Sequence, residues 1–293
     1  MFSLVDWTRE SSSVLFSGLN GPLLADLDNY EGILMSTRLE HKTALVTGAT
    51  SNIGRAIAAG FAAEGAHVVV SGRSKQRGDE VVQEIRAAGG QADFIAAELD
   101  GSAKVSGDLA ANATRALGGH IDVLVNNAGI YPGPTTPATD ESTFDKVYAV
   151  NVKAPFFLTA AIAPAMVERG GGAIINLGSW IARLGIPVSS LYSSTKGAME
   201  TLTKAWAAEF GPAGVRVNAI APGVILTPAA EENNGADEHP GEAMMRGTPA
   251  GASGTPDAIA HAAIYLASDE AAFVHGTVID VDGGRGSVAV VAA

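Results

Sequence analysis

The stretch Thr43-Ala44-Leu45-Val46-Thr47-Gly48-Ala49-Thr50-Ser51-Asn52-Ile53-Gly54 decides the fold. Its first five residues are apolar or β-branched without alternation, the pattern of a strand buried on both faces of a parallel sheet. Gly48 and Gly54 bracket a short polar turn. Beyond it Ile53, Ile57, Gly60 and Phe61 fall at i, i+4, i+7 and i+8, one sheet-facing stripe of a helix. A glycine-bearing turn between strand and helix brings the N–H groups of the helix start close to an anionic ligand such as a pyrophosphate.

The same rhythm repeats along the chain. Short apolar runs at 67–71, 92–97, 121–125, 173–177, 215–220 and 277–281 alternate with helical patterns at 76–88, 103–117, 141–169, 190–211 and 256–268. Repeated strand–helix alternation implies right-handed crossovers. The expected fold class is α/β: a doubly wound parallel seven-stranded sheet in a Rossmann-type three-layer sandwich. Residues 1–38 read as an N-terminal extension, because Ser11–13, Asn20-Gly21-Pro22, Asp26 and Asp28 break every periodic run. Residues 39–293 read as one catalytic domain. Within it, 227–252 interrupts the rhythm with Glu231, Glu232, Asp237, Glu238 and Glu242 around Met244-Met245. A segment following the sixth strand hangs over the strand edge where ligands bind, so it reads as a substrate lid. A solvated surface excursion is the alternative.

Composition narrows the function. The 293 residues are 47% hydrophobic and 17% charged, enough for one large α/β core. A net charge of −12 disfavours nucleic acid as a partner, since phosphate binding needs a basic footprint. Without cysteine there is no disulfide, thiolate nucleophile or cysteine-held zinc. The six histidines are scattered and lack metal-ligand spacing, so no metal is expected. No uninterrupted apolar run approaches the ~18–20 residues that span a bilayer. The N-terminus has neither the basic start nor the apolar stretch of a signal peptide, and a cytoplasmic location without membrane contact is expected. Met35 opens a second possible translation start. If the extension is retained, Phe2, Trp7, Leu15 and Phe16 suit packing on a neighbouring subunit.

Tyr192 and Lys196 stand one turn apart, and Met199, Thr203, Trp206 and Phe210 continue the lysine's stripe. A lysine heading so apolar a face has a task. A nearby ammonium favours the phenolate, drawing a tyrosine pKa of ~10 toward working pH.

With Thr47, Gly48 and Gly54 in the first turn, Asn126-Asn127-Ala128-Gly129 after the fourth strand and Tyr192/Lys196, the sequence resembles the short-chain dehydrogenase/reductase family from about Leu39 to Gly284. The family's turn is TGxxxGxG; Asn52 replaces the middle glycine, and asparagine tolerates the left-handed conformation best of the non-glycine residues. The resemblance implies a nicotinamide cofactor held by Thr47, Gly48, Ser51, Asn52, Ile53 and Gly54, with Glu98 and Leu99 beside the adenine. Asn127, Ala128 and Gly129 follow, then Pro222, Gly223, Val224 and Thr227 over the nicotinamide. Gly72 stands where NAD-using members carry an aspartate. Arg73 follows it and can pair with a 2′-phosphate, so NADP(H) is favoured and NAD(H) is the alternative.

The resemblance also implies four catalytic residues. Ser179 polarises the substrate carbonyl. Tyr192 donates the proton in reduction and accepts it in oxidation. Lys196 binds the nicotinamide ribose and lowers the tyrosine pKa, and Asn151 holds a water that relays protons from Lys196. Family members assemble through their long helices and last strand, which implies a homotetramer.

Tyr131, Trp180, Ile181, Val188, Val224, Met244 and Met245 are candidate pocket walls, suited to a hydrophobic or aromatic carbonyl compound. Trp180 and Tyr131 packing only against the lid is the other reading. Rival functions are a 3-oxoacyl carrier-protein reductase and a sugar or polyol dehydrogenase. The first is ranked lower because an acidic carrier needs a basic docking surface, and this chain offers Ala207-Ala208-Glu209 at the relevant helix end. A catalytically silent dinucleotide-binding regulator is the alternative of another class.

Overall fold

The computed structural model describes residues 37–186, 189–226 and 240–289. The chain divides into Met1–Thr37 and Arg38–Ala293, and the architecture below is that of the second unit. Val188, Thr227, the acidic residues at 231–238 and the aromatic residues of the extension lie outside the described residues.

Seven strands form one parallel sheet: β1 (Thr43–Thr47), β2 (His67–Gly72), β3 (Gln91–Ala96), β4 (Val123–Asn126), β5 (Gly172–Leu177), β6 (Val215–Pro222) and β7 (Val278–Val281). Their order is β3-β2-β1-β4-β5-β6-β7. This is the doubly wound sheet that the strand–helix rhythm predicts, and strand limits fall within two residues of the expected runs. β1 sits at the switch point, with β2 and β4 on either side, which opens a crevice beyond the carboxyl ends of the strands.

Eight α-helices are described: α1 (Asn52–Ala63), α2 (Lys75–Ala87), α3 (Ala103–Ala116), α4 (Glu141–Tyr148), α5 (Ala154–Arg169), α6 (Ser190–Phe210), α7 (Pro240–Met245) and α8 (Pro256–Ala267). Successive strand residues point to opposite faces, and the core divides accordingly. Val46 joins Ile57, Phe61, Val81, Ile259 and Ile264 on the face covered by α1, α2 and α8. Leu45 joins Leu109, Leu158, Met166, Met199 and Trp206 on the face covered by α3, α5 and α6. Full burial of each such side chain contributes about 1.5–3 kcal/mol. α8 lies so close to α1 that a Cβ on Gly60 would stand 3.2 Å from the Ile264 side chain.

The run at 141–169, expected as one uninterrupted helix, contains a π turn at Ala149–Lys153. Pro155 follows at the start of α5. Lacking an N–H, it cannot make the ordinary i→i−4 bond, which suits the change of hydrogen-bond register there. By length and composition this helical run, whose most apolar 18 residues have mean hydropathy 1.5, could cross a membrane. Here it lies against the sheet and buries Leu158, Ile162, Ala163 and Met166.

Candidate active site

The turn from β1 into α1 is built to bring backbone, not side chains, to the crevice. Gly48 has φ +63° and Asn52 φ +48°. The asparagine thus adopts the left-handed conformation for which the sequence singles it out. At Gly54 a Cβ would stand 2.4 Å from both the Asn127 amide nitrogen and the Gly48 carbonyl, so only glycine fits.

Thr47 and Asn127 brace this turn. The Thr47 hydroxyl accepts the N–H groups of Asn127 and Ala128 at 3.0 and 3.1 Å and donates to Val125 O at 3.1 Å. The Asn127 amide donates to Thr47 O at 2.8 Å and Gly48 O at 3.1 Å. The ends of β1 and β4 are thereby locked together at the switch point.

A cleft of about 930 Å³ opens above them. Gly48, Ser51, Asn52, Ile53, Gly54, Arg73, Glu98, Leu99, Asn127, Ala128 and Gly129 line one end. Ser179, Tyr192, Lys196, Pro222, Gly223 and Val224 line the other. Of the described residues predicted to catalyse or to hold the cofactor, only Thr47 and Asn151 stand outside the lining, both buried. Gly72 lines the cleft too, and a Cβ there would meet the Thr50 methyl at 2.6 Å.

At the far end Ser179 leaves β5 with extended backbone and is 7% exposed. Tyr192, in the first turn of α6, lies beside it, and the Ser179 side chain favours its ionised form. The Tyr131 ring stacks edge-on against Tyr192 at 4.7 Å. Lys196 lies one turn along, its Nζ 5.5 Å from the Tyr192 ring centre, and donates to Leu177 O at 2.7 Å.

Two expectations need correction. The Lys196 ammonium is expected to draw the phenol down, yet burial pushes Tyr192 up to about 12, with Tyr131 adding to the rise and the Ser179 side chain opposing it. Burial likewise pulls Lys196 down to about 8. Desolvation penalises both charged forms and is the largest cause of each shift. Met245, expected as a pocket wall, is 1% exposed and faces the core beside Gly283. Met244 alone of that pair reaches the cleft, joining Tyr131, Trp180, Ile181 and Val224. Trp180 is 6% exposed, and the Arg285 guanidinium lies 5.4 Å from its ring centre.

Asn151 is placed by the π turn. Its amide donates to Ile130 O and the Thr195 hydroxyl and accepts from Ile130 N at 2.9 Å. It therefore fastens the loop after β4 to α6. Sequence reasoning missed Ile130 and Leu177, because each contributes a backbone group that no residue type announces. Ile186, an apolar residue of the wall, was also missed.

The comparisons agree with this geometry. A family model described as "Enoyl-(Acyl carrier protein) reductase" matches residues 48–285. A solved "short chain dehydrogenase/reductase family protein" is 44% identical, with TM-score 0.76, covering 86% of this chain and 100% of its own. A gluconate 5-dehydrogenase from Burkholderia cenocepacia, solved with NADP and tartrate, is 32% identical with TM-score 0.79, covering 88% and 100%. A 7α-hydroxysteroid dehydrogenase, solved with NADH and 7-oxo glycochenodeoxycholic acid, is 36% identical with TM-score 0.78, covering 86% and 96%. With its glycine-built turn, its Ser179–Tyr192–Lys196 cluster and these likenesses over most of its length, the chain belongs to the short-chain dehydrogenase/reductase family.

Proposed function

We propose that this NAD(P)-dependent oxidoreductase reduces apolar or aromatic carbonyl compounds to alcohols with NADPH, and runs the reverse reaction on the alcohols. The observation that carries the reading is the convergence of Ser179, Tyr192 and Lys196 at one end of a cleft whose other end is a backbone cradle. The cradle fits a dinucleotide: Gly48 and Gly54 keep its floor free of side chains, and α1 points its first N–H groups there. Gly48, Ser51, Asn52, Ile53 and Gly54 would hold the pyrophosphate, with Glu98 and Leu99 beside the adenine and Pro222, Gly223 and Val224 at the nicotinamide. When bound, the nicotinamide group supplies hydride exchange with the carbonyl carbon.

The chain's own residues handle the proton. Ser179 donates a hydrogen bond to the substrate oxygen, which concentrates negative charge there as reduction proceeds. Tyr192 carries its proton throughout the neutral range, since burial pushes its pKa up to about 12, and that proton is the one given to the substrate oxygen. Lys196, at the cofactor side of Tyr192, offers ammonium hydrogens to ribose hydroxyls and a positive potential to the phenol as it gives up its proton. Asn151 keeps the Ile130 loop and α6 in register behind them.

The NADPH preference is supported by the end of β2. Thr50 fills the space that a side chain at position 72 would need, so an aspartate reading the ribose hydroxyls does not fit. Arg73 lines the cleft beside it and can pair with a 2′-phosphate. Tyr131, Trp180, Ile181, Ile186, Val224 and Met244 give the substrate end a largely apolar wall, which supports ketones and aldehydes over polyols. The net charge of −12 opposes docking of an acidic carrier protein.

The test is NADPH oxidation with acetophenone, cyclohexanone, benzaldehyde, menadione and a ketose, with NADH in parallel. The expected outcome is turnover of the apolar carbonyls and a lower KM for NADPH than for NADH. Tyr192→Phe should lower kcat by about 10²–10⁴-fold while NADPH binding persists. Wild-type turnover by the Phe variant, or activity with the ketose alone, would overturn the reading.

A further inference from the structure

Behind Ser179 lies a buried carboxylate that this chemistry does not use. Glu200 follows Lys196 by one turn of α6, so Tyr192, Lys196 and Glu200 make a single row at i, i+4 and i+8. It is 8% exposed. Its Oε1 has no hydrogen-bond partner, and its Oε2 lies 3.5 Å from Arg183 Nε. Burial pushes its pKa up and Asp280 adds to the rise, while Arg183 and Lys204 oppose it. A buried carboxylate so poorly bonded lowers folding stability.

Its neighbours show what such a group does. The segment 177–183 leaves β5, carries Ser179, and turns back through the short 3₁₀ helix Trp180–Ala182. Lys196 holds the start of this segment through Leu177 O. Glu200 lies under its next residue, since a Cβ on Gly178 would stand 3.1 Å from Glu200 Oε1. Arg183 ends the segment, faces Glu200, and donates with both terminal nitrogens to the Asp280 carboxylate on β7. Asp282 adds a further negative charge near the Arg183 guanidinium. Ser179 is thus suspended between two anchorages, and both lead back to the row that carries Tyr192.

We infer that Glu200 is a positioning residue which, through Arg183 and Gly178, fixes the turn that aims Ser179 at Tyr192 and the substrate oxygen. This rests on the reading of Ser179 and Tyr192 as the reacting pair. Glu200→Gln keeps the shape and removes the second charge that faces Arg183 beside its Asp280 pair, so the turn loosens without a void. A burial penalty also disappears, so stability does not fall.

The test compares wild type with Glu200→Gln, Arg183→Met and Ser179→Ala, using NADPH and acetophenone, thermal unfolding and a pH profile. For Glu200→Gln the expected result is a kcat lowered about ten- to a hundredfold, as for a reacting group displaced by a fraction of an ångström. Its KM for NADPH stays within about twofold, since the cradle lies at the other end of the cleft. Its Tm equals or exceeds that of wild type. The wild-type kcat falls toward acid as Glu200 takes up its proton; the Gln variant lacks that limb and stays low throughout. Arg183→Met reproduces the kcat loss from the other side, and carries the test if Glu200→Gln does not fold. Wild-type kcat in Glu200→Gln overturns the inference, as does a loss of kcat that only tracks a lowered Tm. If Ser179→Ala turns over normally, the reading of the site fails instead; an inactive Ser179→Ala beside a normal Glu200→Gln removes the positioning role alone.

Discussion

Lys196 shows how far the demands of folding and of function diverge at a single residue. Its ammonium is buried with one carbonyl partner, Leu177 O, and burial holds its pKa near 8 against an ordinary 10.5. Because the folded pKa is depressed, the unfolded chain binds more protons between about pH 8 and 10.5, and stability rises with pH across that window. Below pH 8 the penalty is fully present. Lys196→Met should therefore abolish turnover yet stabilise the cofactor-free protein at pH 7 by on the order of 1–2 kcal/mol, after allowance for the lost hydrogen bond. Urea unfolding at pH 7 and above pH 10 checks this: the advantage of the Met variant shrinks at the higher pH. A less stable Met variant at pH 7 would show the ammonium to be a net stabiliser. The Tyr192/Lys196 pair was legible in the sequence because helical spacing alone brings i and i+4 together. The direction of the Tyr192 shift was not, because desolvation depends on what covers the ring, here Tyr131 and the end of β5. Glu200 shares that spacing and was within reach of the same rule.

Elements carry the next set of constraints. The β1–α1 turn works because its backbone takes left-handed values at Gly48 and Asn52 and leaves no room at Gly54. Asn52→Gly should be close to neutral, whereas Asn52→Val should lose about 1–2 kcal/mol of stability and weaken NADPH binding in step. Chemical denaturation and fluorescence titration with NADPH measure both; an equally stable Val variant would mean the turn has another conformation open to it. This turn could be read from sequence because glycine and asparagine mark special backbone angles. The π turn at Ala149–Lys153 could not, since one extra residue leaves the composition of a long apolar helix unchanged. Pro155 is its one chemical trace, and a proline in the first turn of any helix looks the same.

At the scale of the whole molecule, the doubly wound parallel seven-stranded sheet was legible in the strand–helix alternation, whereas the strand order that opens the cleft was not. The surface was less legible, because exposure is decided by partners that periodicity does not name. Phe273, just before β7, is fully exposed, and Phe156 on α5 is 43% exposed. From the family resemblance and these exposed aromatic side chains we propose a homotetramer. Sedimentation should give about four times the 29.7 kDa chain mass, and Phe273→Asp should shift the population to smaller species. A wild-type monomer would refute the assembly. The pairing of α1 with α8 has a consequence for synthesis. α1 is made near the start of this unit, but Ile259, Ile264 and the rest of α8, which cover Ile57 and Phe61, come roughly two hundred residues later. At ribosomal speeds that delay is on the order of ten to forty seconds, during which a greasy helix waits without its cover. The nascent chain is thus a natural client for chaperones until α8 emerges, and a message cut short before the codon for Pro256 is expected to yield an aggregating product rather than a smaller enzyme.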